Sequence, residues 1–76
     1  MTNKELKNII MLELVAPENP SERLMSEEES KAVYERYKHC GDNVDWNHVF
    51  EPIKSEKLKD ILVNAYRALD AKIQGF

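Results

Sequence analysis

The sequence predicts an all-α fold, a small three-helix bundle with a short extra helical turn near residues 45–50. Three observations carry this. Apolar residues recur at helical spacing over three long segments, and the alternation of a half-buried strand is missing throughout. Proline and glycine fall between or after those segments, at Pro17, Pro20, Gly41, Pro52 and Gly75. Ser or Thr followed three residues later by Glu, the spacing of a capping box, opens two of the segments.

The first helix is predicted from about Asn3 to Ala16, with Thr2 and Glu5 as its capping pair. Pro17 and Pro20 end it, since the residue before a proline is pushed out of the helical region. Ser21 to Met25 has room for one helical turn. Ser26 and Glu29 form the second capping pair, and Glu27, Glu28 and Glu29 lie where the helix dipole favours negative charge. That helix is expected to reach His39 or Cys40, with Gly41 as its left-handed stop. Asp45 can cap the short turn that holds Trp46, Val49 and Phe50, and Pro52 limits it. Ser55 is the expected cap of the last helix, which runs to about Ile73 with Gly75 beyond it.

The three long helices present apolar side chains differently. In the last, Leu58, Ile61, Leu62, Ala65, Tyr66, Leu69 and Ile73 form one stripe, with Val63 off it and Asp70 on the polar side. In the second, Val33, Tyr37 and Cys40 form a narrower stripe with Tyr34 at its edge. The first helix is apolar nearly all round. Leu6, Ile10 and Leu14 mark one face, Met11 and Val15 point roughly opposite, and Ile9 and Leu12 fill another sector. Such a helix calls for cover on nearly all sides, more than two other helices of so short a chain readily supply, so that either another chain covers one face or the Trp46–Phe50 segment and the Pro17–Met25 loop cover it within the chain.

Size and charge narrow the function. A chain of 76 residues supports one helical domain over 1–76, and excludes a dinucleotide-binding enzyme with a substrate domain, a barrel enzyme or a kinase. Lys and Arg total 11 against 14 Asp and Glu, a net charge of -3 with the signs mixed along the chain, so neither a nucleic-acid footprint nor a DNA-mimicking acidic field stands out. Lys54, Lys57 and Lys59 gather near the start of the last helix, but Glu56 and Asp60 are interspersed. The single cysteine, Cys40, cannot form an internal disulfide and points to a reducing, cytoplasmic setting. No apolar run reaches the ~20 residues that span a bilayer. Lys4 and Lys7 ahead of the apolar run from Ile9 to Ala16 faintly resemble a signal peptide, and Glu5 and Glu13 argue against one.

The densest reactive set is His39, Cys40, Asp42, Asp45 and His48. Its spacing matches no zinc or calcium pattern, and turn, cap and core roles account for each member, so no metal, cofactor or catalytic residue is expected. Glycine-rich phosphate loops are absent. The expected function is therefore a small protein-binding module (inhibitor, antitoxin-like or adaptor) rather than an enzyme. It acts by helix-face docking on another protein or on a second copy of itself, with Met11, Val15, Tyr34, Trp46 and Phe50 as the expected contact residues. The alternative is a small nucleic-acid-associated regulator in which the second helix, Gly41 and the Trp46 turn mimic a helix–turn–helix. The Arg, Asn and Gln cluster such a reader uses is thin.

Overall fold

A computed structural model describes residues 2–41 and 43–75. Among them are four helices, α1 (Asn3–Val15), α2 (Glu27–Lys38), α3 (Trp46–Phe50) and α4 (Glu56–Gln74), with a 3-10 turn at Pro20–Glu22. The described residues contain no strand. The architecture is a small all-α bundle, as the sequence predicts.

Each helix start has a side-chain cap. Thr2 Oγ1 accepts the Glu5 N–H at 3.1 Å at α1, Asp45 accepts the His48 N–H at α3, and Ser55 accepts the Leu58 N–H at α4. Only α2 closes a full capping box, with Ser26 and Glu29 each bonded to the other's backbone N–H. At α1 the second arm differs, because the Thr2 hydroxyl donates to the Glu5 carboxylate instead. Gly41 adopts the expected left-handed conformation, φ 70°. Gly75 does not: it continues the right-handed turn at φ -75°.

Glu29 does more than cap. Its other oxygen accepts the Lys54 N–H at 2.8 Å, tying the start of α2 to the segment after α3. This bond, with those to Ser26, holds the Glu29 carboxyl below the usual carboxylate range. Glu35 is lowered too, chiefly by hydrogen bonding to His39 and also to Lys38. A carboxylate lowered in the folded state stabilises the fold above its unfolded value and loses that contribution as pH falls through the folded value. Stability is therefore expected to be flat above the ordinary carboxylate pKa and to fall below it. The fall should be shallower in Glu29→Gln, as followed by urea unfolding at stepped pH.

The core gathers side chains from every helix. Met11, Val33, Val49, Phe50 and Ile53 are almost fully enclosed, with Met25, Tyr37, Trp46, Leu62 and Val63 around them. Stacked ring pairs run from Tyr34 to Tyr37, on to Trp46 and then to Phe50, and Tyr66 meets both Trp46 and Phe50 edge-on or tilted. Burial raises the phenol pKa of Tyr66 and, with the nearby Tyr34, Asp70 and Cys40, that of Tyr37.

The structure corrects the expected face of α4. Val63 is buried and Ile61 is exposed, so the buried sector is rotated by roughly 50° from the predicted stripe, at about 100° per residue. The rotation brings Asp70 inward. Lys7 Nζ lies 2.7 Å from Asp70 Oδ1, with both side chains largely shielded, and Trp46 Nε1–H donates to Asp70 Oδ2 at 3.1 Å. One carboxylate thereby joins α1, α3 and α4. Between α2 and α3 the comparable tie is Arg36, which donates to the His48 carbonyl at 3.1 Å and lies 3.6 Å from Glu51.

Candidate functional site

Helix α1 decides where the site lies, because its two faces do different work. Lys7, Met11 and Val15, four residues apart, form the inward face. Met11 is 0 % exposed, and Val15, Trp46 and Phe50 are buried as well. Met11, Trp46 and Phe50, expected to contact a partner, instead fill the chain's own core, and Val15, also buried, keeps an edge on the groove between α1 and α2. The reason is α3. Its short turn supplies Trp46, Val49 and Phe50 to the space left between the longer helices, and that filling covers the Met11 side of α1. Tyr34 is half-buried, stacked on Tyr37, with the Lys38 ammonium 5.4 Å above its ring.

The excess apolar surface of α1 survives on the other face. Leu6, Ile9 and Leu12 are 37 %, 46 % and 45 % exposed. On a helical wheel they share an arc of about 120° with Ala16, Glu5 and Glu13. All six are exposed, and the arc carries no lysine or arginine. The sequence places Ile9 and Leu12 in a sector of their own. It cannot say which sector the bundle leaves open, since that depends on α3.

Leu12 also belongs to a groove of 340 Å³ between the end of α1 and the first half of α2. Val15, Ala16, Arg23, Glu27, Ser30, Lys31 and Tyr34 line the rest of it. Two polar atoms at this groove are buried without a hydrogen-bond partner, Arg23 Nε and Ser30 Oγ. Glu27 and Lys31 face each other at 4.0 Å, both well exposed. Arg23 has no ion pair among the described residues. It follows directly on the 3-10 turn, where its N–H bonds the Pro20 carbonyl. An unsatisfied buried hydroxyl costs about 1–3 kcal/mol, and serine is a poorer helix former than alanine. Ser30→Ala is therefore expected to stabilise the fold by roughly 0.5–2 kcal/mol in chemical denaturation. A loss of stability would mean that the hydroxyl is satisfied.

The reactive residues singled out in the sequence do not converge. His39 is exposed and bonds Glu35 at 3.3 Å, while His48 Nδ1 lies 3.3 Å from Arg36 Nη1. Because a guanidinium only donates, Nδ1 of His48 is the acceptor wherever this contact is a hydrogen bond. The Cys40 thiol donates to the Arg36 carbonyl at 3.3 Å. Asp45 caps α3, and Asp42 lies outside the described residues. Among the described residues, no three His, Cys, Asp or Glu side chains are grouped to hold a metal ion. No helix of the described chain is long and apolar enough to cross a membrane.

No protein-family model, curated protein or solved structure matches the chain.

Proposed function

We propose that this protein is a small protein-binding module that docks a partner helix on the outward face of α1. The observation that carries the reading is the arc of Leu6, Ile9 and Leu12, exposed together on a helix whose other face already supplies the core. Helix-to-helix docking is read as apolar anchors at i, i+3, i+4 and i+7, and Leu6, Ile9 and Leu12 supply two successive i, i+3 steps of such a face. Leaving three large aliphatic side chains open on one face has no use in the folding of the monomer.

Charge selects the occupant. Glu5 and Glu13 flank Ile9, four residues to either side. A second copy docked antiparallel about Ile9 sets Glu5 of one chain against Glu13 of the other, and a parallel copy sets each against itself. Like charges at such positions oppose pairing. An anionic lipid surface is disfavoured for the same reason. A partner helix with an apolar stripe and basic flanks fits. The nucleic-acid alternative is weaker, because α3 buries Trp46, Val49 and Phe50 and leaves only Asn47 and His48 to read a base. Whether docking inhibits, masks or bridges the partner is a further choice among the same class of roles.

Two measurements test this. Sedimentation of the isolated protein is expected to give a monomer of 8.9 kDa. Replacing Leu6, Ile9 and Leu12 together by serine is expected to leave folding stability within about 1 kcal/mol, apart from a small propensity term. A stable dimer, or a loss well beyond that, would show that the arc serves self-association or folding instead.

A further inference from the structure

We propose that the groove beside Leu12 receives the free carboxyl terminus of the docked partner, with a bulky aliphatic last residue on the apolar floor and the carboxylate at Arg23 and Ser30. The inference rests on the reading of α1 as a docking face and specifies the end of the chain that docks there.

The groove is built for a compact amphiphilic group. Its floor on α1 runs from Leu12 to Ala16, about 6 Å at ~1.5 Å per residue. That admits one or two residues of a partner, not several turns of helix. The floor is apolar, with Leu12, Val15, Ala16 and the flank of Tyr34. Arg23 and Ser30 line the same groove, and the Arg23 Nε–H donor and the Ser30 hydroxyl lack partners inside the chain. Arginine nitrogen only donates, so the shared missing element is an acceptor. A carboxylate supplies it and matches the site's charge. Arg23 and Lys31 outnumber Glu27, and Glu27 and Lys31 already face each other, leaving Arg23 as the uncompensated cation.

Neither orphan atom is open to water. The carboxylate reaches them when the Arg23 side chain turns outward, a motion no ion pair resists. The guanidinium then meets the carboxylate and the Ser30 hydroxyl donates to it. The direction of approach agrees with the outward arc. A partner helix laid parallel to α1 passes Glu5, Ile9 and Glu13 with its basic flanks and arrives at the groove with its carboxyl end.

The test is an amide-shift titration of the intact protein with acetyl-Ala-Ala-Ala-Leu. Its C-terminal amide and N-acetyl-leucine are titrated in parallel. Saturable shifts are expected at Ala16, Ser30, Lys31 and Tyr34. The acid should bind at least tenfold tighter than the amide, and more tightly than N-acetyl-leucine. Arg23→Gln should erase the preference for acid over amide, and Ser30→Ala should reduce it without lowering thermal stability. Equal binding of acid and amide, or an Arg23→Gln protein that still prefers the acid, would overturn the proposal. N-acetyl-leucine binding as tightly as the tetrapeptide would also overturn it, by making a free small acid the occupant. Ile9→Asp is expected to leave the tetrapeptide titration unchanged, so failure of the groove and failure of the outward arc read out separately.

Discussion

Asp70→Ala is expected to cost about 3–5 kcal/mol of folding stability, the range seen when one partner of a buried ion pair is removed. A small domain holds little more than that in total, so the variant should be largely unfolded at ambient temperature. The cost has two parts. The 2.7 Å contact between the shielded Lys7 ammonium and the carboxylate is lost, and Trp46 Nε1–H loses its acceptor. Asp70→Asn should be milder, because an amide oxygen still accepts from the indole while the charge is lost. Changing both members, Lys7→Met with Asp70→Leu, should cost less than Asp70→Ala alone, since the 2.7 Å ion pair is then replaced as a unit by apolar side chains and the Trp46 N–H alone loses its acceptor. Urea unfolding of the three variants measures all of this. Equal losses in the single and double variants would show that the packing around α4, and not the ion pair, sets the stability there.

Phe50→Ala is the other substitution with a large expected effect, about 3–5 kcal/mol. Phe50 is fully enclosed, stacks on Trp46 at 5.9 Å between ring centroids and meets Tyr66 edge-on at 5.2 Å. The loss combines the transfer of an aromatic side chain with the cavity left behind. Relaxation is limited because α3 is one short turn, held at its start by Asp45 and between its neighbours by Arg36 and Glu29. Phe50→Leu should recover more than half of the loss, keeping most of the volume without the ring contacts. A loss below about 1 kcal/mol for Phe50→Ala, far from the values usual for enclosed phenylalanines, would contradict the placement of α3 in the core.

The helices were legible because their signals are local. Thr2, Ser26, Asp45 and Ser55 act as caps within three residues of themselves, and Pro17, Pro20 and Pro52 interrupt the chain wherever the rest of it lies. The faces were less legible because they depend on partners far along the chain. Asp70 has a polar residue's place on a helical wheel, and only the presence of Lys7 and Trp46 turns it inward. A signal for this existed. Lys7, Met11 and Val15 share one face at four-residue spacing, and a lysine on a core-facing stripe needs a buried anion. The excess of apolar surface on α1 was likewise readable, but its location was not. Met11 and Val15 look as available as Ile9 and Leu12 until the Trp46–Phe50 turn closes over them. The Arg23–Ser30 groove had no sequence signature, since an unpartnered hydroxyl in the middle of α2 is visible only once its surroundings are known.

The central claim is that the outward face of α1 is covered by another protein when the molecule works. The most direct measurement is photocrosslinking from single unnatural residues placed at positions 9, 12 and, exposed on α4, 57, in cells that naturally express the protein. The account predicts one discrete adduct from positions 9 and 12 and none from 57. The crosslinked peptide should combine aliphatic residues with Lys or Arg, and the yield should fall at least tenfold when Glu5 and Glu13 are both changed to lysine. An adduct made only with a second copy of the chain, equal labelling from all three positions, or no adduct at all would contradict it.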